Sequence, residues 1–296
     1  MAIMPRAEID ITPSLVVSLL ADQHPDLADR PVRFAGNGWD NALFRLGADL
    51  VVRLPRREVG DALMVEEQRW LPELTAHLAV PTSAALRLGR PGQAYPWHWS
   101  VCRWIDGSSA ITVPRADRGP AAVALARFLL QFQRPAPPDA PVSPVGRGGP
   151  LAARNDVVRA RLASLAGALT GPLLDVWDQA VAAPAWSGAP LWLHGDLHPA
   201  NTVLAPDGAL AGVVDFGDLC SGDPATDLAA AWLVFGADGR RVFQDTLGAA
   251  RPIDGATWQR ARGWAVSMGS AMAASSDDDP EFRAAGCEVL WSVLED

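Results

Sequence analysis

Two stretches, HGDLHPAN at 194–201 and VVDFGD at 213–218, place two histidines, three aspartates and an asparagine within 25 positions of each other. Side chains of these types support two kinds of chemistry. In the first, His194 and His198, with Asp215 or Asp218, hold a zinc or manganese ion that activates water, as in a metal hydrolase. In the second, a carboxylate at Asp196 takes a proton from a hydroxyl group, while oxygens of Asn201 and Asp215 serve as hard ligands for magnesium. The asparagine separates them, because the hydrolytic arrangement gives it no task. The remaining histidines, His24, His77 and His98, form no paired motif that would add metal ligands.

The elements that must position these residues can be read from periodicity. ITPSLVVSLLADQHP reads as a helix with Thr12 as cap and Pro13 at its first position. VRFAG, NALFRLG and DLVVRLP, over about 32–54, read as an antiparallel meander, and 61–78 returns to helical spacing with Pro72 expected to bend or split it. Strand-like runs follow near 84–89 and 97–105, and WIDG at 104–107 marks a boundary between two parts. Residues 117–133 are helical, and RPAPPDAPVSPVGRGGP, 134–150, reads as a surface loop because it is too rich in Pro and Gly for a core element. Helical patterns at 151–166 and 171–184 precede the chemistry-bearing stretch. NTVLA and LAGVVDF flank the turn PDG as a hairpin that carries Asn201 out and returns with Asp215. From DPATDLAAAWLVF onward the chain is helical almost to its end.

Composition narrows the function classes. The chain of 296 residues is 49% hydrophobic and 20% charged, with no apolar run long enough to span a membrane and no secretory leader, so the expected compartment is the cytoplasm. All 25 basic side chains are arginine, which excludes a Walker A loop and any lysine Schiff base. The three cysteines have no metal-ligand spacing and read as reduced thiols. Residues 1–186 carry 18 acidic and 19 basic groups, against 16 and 6 in 187–296. That segregation disfavours nucleic acid and anionic lipid and points to a metal ion or a cationic small molecule.

His194-x-Asp196 followed after four residues by Asn201, with Asp215-Phe216-Gly217 fourteen residues on, reproduces the spacing of a kinase-type catalytic loop and its metal aspartate. With GDPATDLA, these motifs resemble the aminoglycoside phosphotransferase family, including its macrolide phosphotransferase relatives, from about residue 30 onward. The resemblance implies an α+β, bilobal, protein-kinase-like fold: an N-terminal antiparallel sheet lobe for nucleotide, residues 1–104, and a mainly helical C-terminal lobe, 105–296. It implies transfer of the γ-phosphate of ATP or GTP, with Mg2+, to a hydroxyl of a small molecule such as an aminoglycoside or another antibiotic, and hence antibiotic resistance. Asp196 matches the proposed general base, and Asn201 and Asp215 the magnesium ligands.

The same resemblance assigns Gly36 and Gly38 of AGNGWDN to the loop covering the phosphates, and Arg53 to the place where kinases and many relatives carry a lysine. Glu67, rather than the adjacent Glu66, falls at the spacing of that cation's partner. Trp104 lies in the linker expected beside the nucleotide base. His194 is expected to brace the loop next to the nucleotide, His198 to approach the phosphate or the acceptor, and Asp218 to bind a second cation or an amine of the acceptor. Asp227 reads as a residue of a helix's first turn. SSDDDPE, 275–281, reads as a solvated loop or as an acidic rim for a polyamine. A metabolite kinase and a nucleotide-binding module with little turnover are the alternatives.

Overall fold

The structure, a computed structural model, describes residues 4–165, 167 and 169–295. A first helix α1 (Pro13–Gln23), capped by the Thr12 hydroxyl on the Leu15 amide at 3.2 Å, leads into β1 (Val32–Asn37), β2 (Asn41–Leu46) and β3 (Leu50–Pro55). Then come α2 (Glu58–Thr75), β4 (Ala85–Gly89) and β5 (Trp99–Arg103). The five strands form one antiparallel sheet in the order β1-β2-β3-β5-β4. Strand alternation sends Val52 and Leu54 of β3 into a buried cluster with Val16, Leu19 and Leu20 of α1, and turns Arg53 to the opposite face. Helix α2 buries Met64, Glu67, Leu71 and Leu74, a stripe at three- and four-residue spacing. Helical phase thus selects Glu67 over Glu66, whose carboxylate accepts from the Trp70 indole instead. Pro72 neither splits nor ends α2. It lies three residues from the helix end, where its missing N–H costs the Gln68 carbonyl one partner.

After β5 the chain passes through β6 (Ser108–Ser109) to α3 (Ala122–Phe132), α4 (Asn155–Ser164), α5 (Thr170–Ala182) and β7 (Leu191–Leu193). β8 (Thr202–Leu204) and β9 (Leu210–Val213) form the expected hairpin, with β6 against β8, while β10 (Cys220–Gly222) pairs with β7. The remainder is α6 (Ala225–Leu228), α7 (Ala230–Leu233), α8 (Ala237–Ala250), α9 (Gly255–Ala274) and α10 (Pro280–Val293). α9 is the central helix of a second, larger buried cluster, flanked by α4, α5, α6 and α10. Leu71 and Leu74 belong to this second cluster, so α2 leaves the sheet and ends among the C-terminal helices. Among the described residues no helix is long and apolar enough to cross a membrane, and the three cysteines are unpaired.

Candidate active site

The loop after β7 is held from three sides. The buried Asp227 carboxylate on α6 accepts from the backbone amides of His194 at 2.8 Å and Gly195 at 2.9 Å. Gly195 has φ +83°, and a Cβ there would stand 2.3 Å from the Asp218 carbonyl oxygen, so only glycine fits. The fully buried His194 ring accepts the Asp196 amide at Nδ1 (3.2 Å) and donates from Nε2 to the Val214 carbonyl (3.0 Å), against the Phe216 ring at 4.5 Å. Both ring nitrogens of His194 are thereby engaged within the chain. The ring ties the segment carrying Asp196 to the segment carrying Asp215.

Asp196 presents a carboxylate with a charged or polar partner on each oxygen. Arg147 Nη2 lies 2.6 Å from Oδ1, and His198 Nε2 lies 3.1 Å from Oδ2. His198 Nδ1 accepts the Ala200 amide, which leaves Nε2 to donate to Asp196, and its ring meets Phe282 of α10 edge-on at 5.2 Å. Burial alone would raise the Asp196 pKa, but His198 and Arg147 outweigh it and hold the carboxyl well below the usual carboxylate range. Asp218, stacked beside Gly195, goes the other way. Burial, then the charges of Asp196 and Asp215, push it up to about 6 despite Arg147.

The hairpin brings the second half of the set alongside. The Val214 amide donates to the Asn201 carbonyl at 3.0 Å, and Asn201 Nδ2 donates to the Asp196 carbonyl at 2.9 Å. Asn201 thus spends its amide nitrogen on the loop and keeps Oδ1 as a free acceptor. Asp215 has φ +62°, a strained value for a non-glycine residue, with its amide bonded to Ser83 Oγ at 3.2 Å and its carboxylate half exposed. An amide oxygen and a carboxylate are hard donors, which fits magnesium completed by waters and phosphate oxygens. Among the described residues no group of three His, Cys, Asp or Glu side chains is arranged to hold a metal by itself. Both nitrogens of His194 and of His198 are engaged within the chain, so the zinc or manganese hydrolase arrangement has no imidazole to offer.

Across the cleft, the buried Arg53 pairs with both Glu67 oxygens, one through Nη1 and the other through Nη2 at 3.0 Å. Burial opposes the Arg53 charge, yet Glu67 overcomes it and keeps the guanidinium protonated beyond the ordinary arginine range. Arg53 Nη2 also lies 3.6 Å from Asp215 Oδ1, which joins the sheet side of the site to the hairpin side. The β1–β2 turn is anchored to the start of α2: Arg56 donates to the Gly38 carbonyl at 3.2 Å, and Arg57 pairs with Asp40 at 2.6 Å. Gly36, with φ +148° and open space where a Cβ would sit, borders a bulge at Ala35 near the end of β1, just before this turn. Trp104 joins neither buried cluster, and its ring carries the Arg45 guanidinium at 4.1 Å.

Two contributors escaped the sequence reading. The 134–150 segment is irregular as expected but not merely a surface loop, because its Arg147 reaches Asp196. Its only signal was an arginine among glycines. Asp227 lies in the first turn of α6 as read, and from there its carboxylate also pins the loop that carries Asp196.

A model of the phosphotransferase enzyme family matches residues 31–264. No curated protein matches the chain. Among solved structures, the GDP complex of wild-type aminoglycoside 2′-phosphotransferase-IIIa superposes with a TM-score of 0.72 at 18% identity, covering 96% of this chain and 99% of that one. The apoenzyme of macrolide 2′-phosphotransferase MphH from Brachybacterium faecium gives 0.61 at 24% identity, covering 93% and 97%. The streptomycin–ATP ternary complex of APH(2″)-IIa gives 0.58 at 17% identity, covering 94% and 95%. At these identities the likeness is one of fold.

Proposed function

This chain belongs to the phosphotransferase enzyme family, and from that premise we propose that it transfers the γ-phosphate of ATP or GTP to a hydroxyl of a small molecule held between the sheet and the helices. One observation carries the reading. An unbroken run of contacts links Glu67 to Arg53, Arg53 to Asp215, Asp215's neighbour Val214 to Asn201, and Asn201 to the backbone of Asp196. This run supports a reading in which a cation for phosphates, two oxygen donors and a carboxylate base stand side by side, in the order phosphoryl transfer needs.

In this reading Arg53, oriented by Glu67, steadies the nucleotide phosphates, with the Gly36–Gly38 turn above them and Trp104 at the linker. Asn201 and Asp215 are the residues that would hold Mg2+, which when bound neutralises charge on the phosphates. Asp196 accepts the proton of the acceptor hydroxyl as its oxygen forms a bond to the γ-phosphorus. The bond from that phosphorus to the bridging oxygen breaks, and the nucleoside diphosphate leaves. A nucleoside triphosphate donor used with magnesium supports a cytoplasmic enzyme.

Similar structures hold kanamycin, gentamicin or streptomycin, so an aminoglycoside is the first acceptor to assay. The acidic 277–279 loop gives that choice little support in this chain. Asp277 faces Arg283 at 3.8 Å, Asp278 accepts the Met4 amide at 2.7 Å, and Asp279 caps α10. Release of ADP or GDP by the wild type, lost in Asp196→Ala, tests the assignment. Tight nucleotide binding with no Asp196-dependent turnover would instead make the chain a nucleotide-binding module.

A further inference from the structure

Asp215 holds a φ of +62°, in the left-handed region that a non-glycine side chain rarely occupies, and the residues on both sides of it are fixed. Val213 donates its amide to the Pro81 carbonyl at 3.0 Å, and Val214 donates to the Asn201 carbonyl and accepts from His194, each at 3.0 Å. Phe216 is fully buried, with Phe132 at 5.6 Å and the His194 ring at 4.5 Å. Between these anchors the Asp215 amide donates to Ser83 Oγ at 3.2 Å, while the carboxylate is half exposed. Of these restraints, Ser83's is the one made to the backbone of Asp215 itself.

Ser83 is buried and comes from the segment joining α2 to β4, 132 residues from Asp215 along the chain. That segment runs parallel to β9, with Thr82 opposite Val213. Gly212 permits the approach, since a Cβ there would stand 2.9 Å from the Pro81 carbonyl oxygen. Thr82 spends its own hydroxyl on the Ala84 amide at 3.4 Å, so the serine hydroxyl is the one that reaches Asp215. A strained φ persists only where the surroundings hold it. Resting on the phosphotransferase reading, we propose that Ser83 is a positioning residue: its hydroxyl holds Asp215 in the left-handed conformation that sets the carboxylate 3.6 Å from Arg53, where it would hold Mg2+. Without that hydroxyl the amide loses its acceptor, φ is free to return to the negative range, and the carboxylate moves off its place beside Arg53.

The affinity of the full chain for a non-hydrolysable ATP analogue, measured by calorimetry with saturating magnesium and again with EDTA, gives the gain due to the metal. Asp215→Ala should abolish that gain. Ser83→Ala should cut it about tenfold and leave the weaker affinity in EDTA unchanged. Ser83→Cys, close in size to serine but a weak acceptor, should behave as Ser83→Ala does. The role is overturned if Ser83→Ala keeps the wild-type gain or weakens binding equally in EDTA, as a loosened fold would. It is overturned too if Ser83→Cys keeps the gain that Ser83→Ala loses, since the residue then only fills space. Asp215→Ala judges the phosphotransferase reading separately. If that variant also keeps the gain, the metal assignment falls; if it loses the gain while both Ser83 variants keep it, the positioning role alone falls.

Discussion

Asp196 follows Gly195 in the chain and Asp218 packs against that same glycine, and their surroundings drive the two carboxylates' proton affinities apart. Asp196 stays ionised through the ordinary pH range, so protonation of the base does not set the acid limb of a rate profile. Asp218, pushed up to about 6 by burial and neighbouring charge, does. The profile of kcat/KM should therefore fall below about pH 6 in the wild type, and the limb should move or vanish in Asp218→Asn. Stability follows the same shift. A carboxyl whose folded pKa exceeds its ordinary 3.8 loses stability as pH rises between the two values, so Asp218→Asn should raise Tm at pH 8 and leave it nearly unchanged at pH 3. Asp196→Asn should lower kcat by about 10²- to 10⁴-fold with nucleotide affinity retained. At Arg53, both partners are buried and joined at two points. Glu67→Ala leaves a buried guanidinium uncompensated and should cost about 3–5 kcal/mol by denaturant titration. Arg53→Lys keeps the charge but not the fork, and should raise the nucleotide KM more than it lowers kcat.

At the level of elements, the β8–β9 hairpin and the short helix α6 set the site. The hairpin's register, Thr202 opposite Val213, makes Asn201 and Asp215 neighbours whatever their side chains are. Asp227 on α6 then fixes the loop through two amides. Gly195→Ala forces a methyl group against the Asp218 carbonyl and an unfavourable φ, so it should displace the loop. The expected result is a loss of at least about a hundredfold in kcat with a fall of about 1–3 kcal/mol in stability, read by steady-state kinetics and thermal melting. The 134–150 segment shows how an irregular element can still be fixed. The Gly148 amide bonds to Thr226 Oγ1, and its carbonyl accepts from the Asp223 amide, so Arg147 sits on an anchored backbone.

For the whole molecule, α2 packs on β3, β4 and β5 of the sheet, while Leu71 and Leu74 in its last turns join the buried cluster of the helices. A nucleotide spanning the Arg53 and Asp215 sides should bind the folded state alone and raise Tm. At a hundred times Kd the linkage is worth about 2.7 kcal/mol. Chelation of magnesium, or Asp215→Ala, should remove most of that shift in a melting assay. The sequence alone carried the sheet meander, the helical second part, the hairpin, and the set Asp196, Asn201, Asp215, Arg53 and Glu67. Each of these is written in local terms: a two-residue or 3.6-residue period, a turn, or a fixed spacing within one motif. The contacts of Arg147 and Asp227 carried no such mark, because their partners lie far along the chain: 49 residues separate Arg147 from Asp196, and 33 separate His194 from Asp227. Only tertiary packing decides such contacts, since an irregular loop or a short helix gains its place from what covers it. Charge shows the same division. The sequence gives the chain's net −9, while the packing of the 134–150 loop decides that an arginine, Arg147, stands against Asp196.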